Sequence, residues 1–302
     1  MKTMPVLYCG PPLLTPYFRD AIGIDMNSFQ NPDLRWTPAQ LNDALHSNAT
    51  DHRDLKIVDV RLGEDYAIGH ITGAIHFSTY ALNTYDTDPA PLRSFTHMWA
   101  FLLSQRGIGP QHELVVYEES SGMNAARALW FLEYLGYEHV HVLDGGLKAW
   151  CEQGYDMTQI AQAPKPIACQ YEVQAGRVAT YLDVLDAINN PDVIILDTRS
   201  AAEFDGSDGR AARNGHVPTS IHQDWRTHLD DKGRLLDAQA LSGLFNGAGC
   251  TPEKRVIALC NTGYRSAHAY WVLRLLGYPD VRNYVGSWQE WGNREECPVV
   301  TN

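Results

Sequence analysis

Trp271-Val-Leu-Arg-Leu-Leu-Gly-Tyr278 repeats the pattern of Trp130-Phe-Leu-Glu-Tyr-Leu-Gly-Tyr137, and the two glycines set an offset of 277 − 136 = 141. Held without gaps, that offset also pairs Gly145 with Gly286 and Trp150 with Trp291. Upstream, Lys56-Ile-Val-Asp-Val-Arg61 matches Ile194-Ile-Leu-Asp-Thr-Arg199, each followed by an acidic residue and an aromatic, Asp65-Tyr66 and Glu203-Phe204. Next come Gly69-His-Ile-Thr-Gly-Ala-Ile-His76 and Gly215-His-Val-Pro-Thr-Ser-Ile-His222. Self-similarity on this scale is the mark of a duplicated unit, so the chain reads as a tandem repeat.

Each half alternates strand and helix. Leu114–Tyr117 and Arg255–Leu259 are short apolar runs of the kind buried on both faces of a sheet. A glycine-containing turn and a helical stretch follow each, Asn124–Leu135 and Ser266–Leu276. Thr37-Pro38 and Thr180 have the chemistry of helix starts. Such alternation implies α/β domains, each a parallel sheet flanked by helices. The expected layout is an N-terminal arm (1–35) without a counterpart, a first domain (36–155), an aperiodic linker (156–177) and a second domain (178–302).

With 302 residues the chain is long enough for two cores. Its 36 acidic against 24 basic residues, net −12, argue against nucleic acid as a partner, because phosphate binding needs a basic face. No run approaches the ~20 apolar residues of a membrane span. The N-terminus, with one early Lys and several prolines, does not read as a signal peptide, and a cytoplasmic protein is expected. The six cysteines (Cys9, Cys151, Cys169, Cys250, Cys260 and Cys297) include no CxxC pair, so neither a disulfide framework nor structural zinc is expected. His139 and His141 form an H-x-H that reads as one face of a half-exposed strand; no metal is expected.

In such sheets ligands lie beyond the carboxyl ends of the strands. Arg255-Val-Ile-Ala-Leu-Cys260-Asn-Thr-Gly-Tyr-Arg265-Ser-Ala-His268 puts Cys260 there, at the end of a strand and the start of a loop that opens a helix. The amides of Asn261, Thr262, Gly263, Tyr264, Arg265 and Ser266 can then turn toward the sulfur, with the positive helix end behind them. Both effects favour the thiolate and lower its pKa. Gly263 permits the turn, and Arg265 supplies a cation for an anionic substrate or a brace for the loop.

These motifs resemble the rhodanese family of sulfurtransferases in its two-domain form. The resemblance runs from about Thr37 to the C-terminus. It rests on the two Asp-x-Arg strands, the two Gly-His segments, the Cys260-x-x-Gly-x-Arg265 loop and Gly286-Ser-Trp-Gln-Glu-Trp-Gly292. It implies that only the second domain is catalytic: at the 141 offset Glu119 stands opposite Cys260, and Asn124 opposite Arg265. The implied chemistry is double displacement, in which Cys260 takes sulfur from a donor as a persulfide and passes it to cyanide, a thiol or a protein acceptor. No cofactor is implied.

Related phosphatases and arsenate reductases place five residues between Cys and Arg, whereas here Asn261, Thr262, Gly263 and Tyr264 make four, suiting one extra sulfur rather than a tetrahedral oxyanion. A persulfide carrier serving a protein partner would use the same loop. The mercaptopyruvate enzymes of the family resemble one another in a Cys-Gly-Ser-Gly-Val loop absent here. They also tend to carry Arg where this chain has Glu203. Thiosulfate is therefore the expected donor, with 3-mercaptopyruvate as the alternative. Asp197 and Arg199 are expected to brace the loops. His216 and His222, matched by His70 and His76, are expected to be structural, and Trp225 and Trp288 to line the cleft.

Overall fold

The computed structural model describes residues 28–47 and 54–301. Its strands in chain order are Arg35–Trp36 (β1), Leu55–Asp59 (β2), His70–Ile71 (β3), Ile75–His76 (β4), Glu113–Tyr117 (β5), Val140–Leu143 (β6), Met157–Thr158 (β7), Val178–Ala179 (β8), Val193–Asp197 (β9), Ile221–His222 (β10), Arg255–Leu259 (β11) and Val281–Tyr284 (β12). The helices are Pro38–His46 (α1), Gly63–Ile68 (α2), Pro89–Gln105 (α3), Met123–Tyr134 (α4), Gly146–Glu152 (α5), Tyr181–Ala187 (α6), Ala201–Asp205 (α7), Ala238–Gly247 (α8), Arg265–Leu275 (α9) and Ser287–Trp291 (α10). Two parallel five-stranded sheets result, β1-β6-β5-β2-β4 and β8-β12-β11-β9-β10, with equivalent strands in equivalent places. The central strands are buried along nearly their whole length, as strands covered by helices on both faces must be.

The helix starts follow local chemistry. Thr37 and Thr180 each accept the N3 amide while the N3 side chain, Gln40 or Asp183, returns to the cap amide. This reciprocal cap satisfies amides that lack partners inside the helix. Both Asp-x-Arg pairs close in the same way. Arg61 forks onto Asp59 and donates to the Gly69 carbonyl at 2.7 Å; Arg199 forks onto Asp197 and donates to the Gly215 carbonyl at 2.7 Å. His70 and His216 stack on Tyr66 and Phe204, and bond the carbonyls of those same residues. His76 and His222 bond the carbonyls of Arg61 and Arg199. All four histidines are structural, and the two arginines brace strand-end loops.

The duplicated helices α4 and α9 pack against each other, and the largest hydrophobic core draws on both halves. The duplicated tryptophans explain part of this. Trp130 donates to the Arg177 carbonyl just before β8, whereas Trp271 donates to the Leu34 carbonyl just before β1. Each domain thus holds the entry segment of the other. The Gln30 and Asn31 amides bond the Leu275 carbonyl, as the Glu172 and Gln174 amides bond those of Leu135 and Tyr134. The end of the arm therefore does have a counterpart, in the last residues before the second domain.

Two other expectations change. Residues 157–158, expected as aperiodic linker, form β7 and pair antiparallel with β3. His139 precedes β6 rather than lying in it, and His141 is buried between the Asp33 carbonyl and Glu113. Most of the arm, with Cys9, lies outside the described residues. Among the described residues no helix is long and apolar enough to cross a membrane, and no group of three or more His, Cys, Asp or Glu could hold a metal.

The reciprocal tryptophan bonds carry a stability prediction. Trp271→Phe orphans the Leu34 carbonyl and should cost about 1–3 kcal/mol, lowering the denaturant midpoint. Trp130→Phe should act similarly through the Arg177 carbonyl. Unchanged midpoints in both would show that these bonds do not hold the domains together.

Candidate active site

Cys260 follows the last residue of β11, and only 1% of its surface is exposed. Its backbone is fixed on both sides. The Trp288 and Gln289 amides, at the start of α10, bond the carbonyls of Cys260 and Asn261 at 3.0 Å each. The Cys260 amide donates to Ser287 Oγ at 3.1 Å. Ser287 adopts φ +51°, a strained value for a side-chain-bearing residue, and its hydroxyl donates to the Tyr284 carbonyl. With its carbonyl engaged below, Cys260 presents its sulfur to the loop that opens α9.

Donors meet that sulfur. The Gly263 amide donates to Sγ at 3.1 Å, and the Ser266 hydroxyl lies 3.5 Å away. Burial works against the thiolate, but the Arg265 charge, the Ser266 hydroxyl and amide and the Thr262 amide outweigh it, holding the thiol below its ordinary value. Other cysteines show what burial does without such donors: Cys250 is pushed up to about 12 and Cys297 up to about 11. Asn283 braces the cradle, donating to the Gly263 carbonyl at 3.1 Å and accepting from the Ser266 hydroxyl at 2.7 Å.

Arg265 is paired within the protein. Its guanidinium forks onto Glu203 at 2.6 and 2.9 Å. Burial would raise the Glu203 carboxyl, but Arg265 and the Ser200 cap outweigh it and bring it to about 2. The residue expected as the loss of a cation is therefore the partner of the loop's own arginine.

A cleft of about 430 Å³ opens over Cys260. Asn261, Thr262, Tyr264, Arg265 and Trp225 line it, while Gly263 and Ser266 lie beneath, on the sulfur. Asp197 and Arg199 end β9 alongside β11 and stay behind the loop. Trp288 was expected in the cleft wall but is buried, stacked 4.2 Å over the Arg199 guanidinium, with its Nε1 on the Arg213 carbonyl. The bulky ring stiffens the brace rather than shaping the opening.

The opposite wall belongs to the first domain: Tyr80, Asn83, Met123 and Asn124. Beneath it Tyr264 donates to the Thr79 carbonyl at 2.7 Å, and Arg127 on α4 donates to the Thr262 carbonyl at 2.9 Å. No motif marked these residues, because which first-domain residues face the Cys260 loop depends on how α4 meets α9. Arg210, from the loop after α7, completes the rim and has no ion-pair partner among the described residues.

The strand register corrects the position opposite Cys260. Asp197 lies opposite Leu259, and Asp59 opposite Tyr117. The offset here is 259 − 117 = 142, so the counterpart of Cys260 is Glu118, not Glu119. Carbonyl partners agree: the Leu147 amide bonds the Glu118 carbonyl as the Trp288 amide bonds that of Cys260. The first-domain loop is one residue longer, which moves the offset back to 141 in the helix. Glu118 turns its carboxylate into its own cradle and accepts from the Asn124 and Ala125 amides at 2.6 and 2.9 Å. Burial nevertheless leaves it above its ordinary value. Glu119 points outward, 3.5 Å from Arg61.

A strand-end thiol facing helix-opening amides is set in the second of two like parallel-sheet domains. The rhodanese-like domain family matches residues 37–153 and 180–294, and the chain belongs to that family. It is similar to the thiosulfate sulfurtransferase of Azotobacter vinelandii, at 32% identity over 91% of this chain and 99% of that one. It is also similar to the 3-mercaptopyruvate sulfurtransferase of Escherichia coli strain K12, at 30% identity over 82% of this chain and 93% of that one. Among solved structures, the anaerobic ergothioneine biosynthesis enzyme from Chlorobium limicola, in complex with trimethyl histidine, shares the fold, with a TM-score of 0.80 over 91% of this chain and 71% of that one at 20% identity.

The Glu203–Arg265 pair makes stability depend on acid. A carboxyl lowered from 4.5 to about 2 in the fold contributes fully above pH 4.5, and that contribution is lost as pH falls through about 2. Glu203→Gln should therefore be less stable than the wild type at pH 7, with the difference shrinking between pH 4.5 and 2. A difference constant across that window would mean the pair adds nothing through its charge.

Proposed function

We propose that this protein is a sulfurtransferase that moves sulfane sulfur from thiosulfate to cyanide or a thiol through a persulfide on Cys260. The observation that carries this reading is the sulfur of Cys260 accepting from the Gly263 amide at the floor of an open cleft. The Cys260 thiolate attacks the outer sulfur of thiosulfate; a Cys–S bond forms, the S–S bond breaks, and sulfite leaves with its electron pair. The persulfide keeps one negative charge inside the same cradle. Cyanide then attacks the outer sulfur, thiocyanate leaves and the thiolate returns; a thiol acceptor takes the sulfur as its own persulfide.

Charge bears on how a donor binds. With Arg265 tied to Glu203, the loop pair is close to neutral, which leaves Arg210 to meet the anionic end of a donor. Arg210 at the rim meets the sulfonate of thiosulfate. The relatives bear both names, so the two donors are compared directly. Intact mass of the protein after each donor should show the gain of one cyanide-labile sulfur atom, faster with thiosulfate and absent in Cys260→Ser. No gain from either donor would overturn the enzyme reading and point to a carrier charged by a protein, whereas a faster gain from 3-mercaptopyruvate would overturn the donor assignment. Arg210→Ala should raise the KM for thiosulfate severalfold with a smaller change in kcat, and an unchanged KM removes Arg210 from the donor site. Glu119→Ala, outside the cleft, should leave turnover close to wild type; a collapse would give the first-domain loop a part in the reaction.

A further inference from the structure

Arg127 lies on α4 of the first domain, with none of its surface exposed. Among the described residues it has no carboxylate partner, and its Nε has no hydrogen-bond acceptor. Its Nη2 donates to the Leu82 carbonyl at 2.8 Å, and its carbon centre lies 4.0 Å from the Tyr264 ring. A buried guanidinium without a counter-charge is costly, so its other contact matters. Nη1 donates to the Thr262 carbonyl at 2.9 Å. That carbonyl belongs to the same peptide group as the Gly263 amide, which donates to Cys260 Sγ at 3.1 Å. One peptide therefore has its negative end on a buried cation and its positive end on the sulfur. Hydrogen bonds arranged in such a chain polarise and strengthen one another.

The fit is close. Gly263 has φ +83°, and a Cβ there would lie 2.8 Å from Arg127 Nη1 and 2.9 Å from the Val285 carbonyl. The loop glycine thus meets two needs, the turn itself and the approach of the guanidinium. Arg265 is already balanced by Glu203; Arg127, like Arg210 on the cleft rim, has no carboxylate partner among the described residues, and of the two it is Arg127 that bonds the loop peptide itself.

We propose that Arg127 is a positioning residue supplied by the non-catalytic domain: it locks the Thr262–Gly263 peptide with its N–H on the sulfur and lends the cradle the positive charge that holds the Cys260 anion. The proposal rests on Cys260 being the nucleophile. The charged and titratable groups around Cys260 are Arg265 and Tyr264 on its own loop and helix, Glu203 on α7, Arg210 on the cleft rim, the Asp197–Arg199 pair after β9, and Arg127 on α4 with Tyr85 nearby. Each of these except Arg127 is left in place by the test.

The test is the pH dependence of iodoacetamide alkylation of Cys260, followed by peptide mass spectrometry so that the other cysteines do not contribute, in wild type and in Arg127→Lys, Arg127→Gln and Arg127→Met. Wild type should show its inflection below that of a free thiol. Arg127→Lys should stay close to it, because the charge remains. Arg127→Gln, which can still donate to the Thr262 carbonyl, and Arg127→Met should move the inflection up by about one pH unit, slowing alkylation about tenfold below it. A purely structural Arg127 predicts variants that are less stable but titrate as wild type does, and that result in a folded neutral variant overturns the proposal. Should neither neutral variant fold, nitrogen NMR of wild type labelled at arginine and glycine decides. The Arg127 guanidinium and Gly263 amide signals should move at one common pH as Cys260 ionises, and an Arg127 signal that stays fixed while Gly263 moves overturns the proposal. Alkylation needs no sulfur transfer, so persulfide loading of wild type from thiosulfate tests the functional reading separately.

Discussion

A sulfur anion enclosed by protein must be balanced where it forms, because desolvation raises the cost of the charge more than the fold can ignore. Around Cys260 the balance comes from the Arg265 charge together with oriented peptides and the Ser266 hydroxyl. Such dipoles act only if they cannot turn away, so much of the surrounding structure fixes backbone. The start of α10 holds the carbonyls of Cys260 and Asn261, Asn283 holds that of Gly263, and the Arg199–Asp197 pair, capped by Trp288, stiffens the adjacent strand end. The contrast with Cys250, equally buried but shifted the opposite way, shows that placement at a strand-to-helix junction, not burial, sets the direction in which the thiol is shifted.

The first domain carries the same construction with a different occupant. Its strand also ends at a helix-opening loop, and two amides of that loop converge on one acceptor, but the acceptor is Glu118. The carboxylate consumes the donors that would otherwise greet a substrate anion. The duplicated cradle thus differs from the Cys260 cradle both in lacking a thiol and in having its amides occupied. A polar cradle left empty and buried would itself be unfavourable, and the glutamate satisfies it from within the same chain.

The repeat, the layer order, both threonine caps and the Cys260 loop were legible in the sequence because each depends on contacts within one domain or on local backbone chemistry. What was not legible depended on geometry between segments. The choice of Glu119 over Glu118 came from carrying a helix-based offset across a loop that is one residue longer in the first half; only the strand register exposes the shift. Trp288 was placed in the cleft because an aromatic near a site resembles a wall, yet Arg199 offers its face a cation and the ring buries itself there. The two residues of β7 are too few to show a period, and their pairing with β3 is set by the path of the chain leaving α5. Arg127 lay unnoticed inside a hydrophobic helical run, where an isolated arginine carries no motif.

Both domains wall the cleft. The second domain alone supplies the thiol, its cradle and Trp225, but Tyr80, Asn83, Met123 and Asn124 close the other side. Tyr264, at the centre of the reactive loop, is tied by its hydroxyl to Thr79 and by its ring to Arg127. Removing the first domain would expose the α9 face that buries Tyr270 and Trp271 and would free the side of the loop that now rests on Arg127. The reciprocal anchoring of Trp130 and Trp271 makes separation of the halves costly to both. The first domain, with Glu118 where the second has Cys260, therefore forms half of one cleft through packing and through its hold on the Thr262–Gly263 peptide.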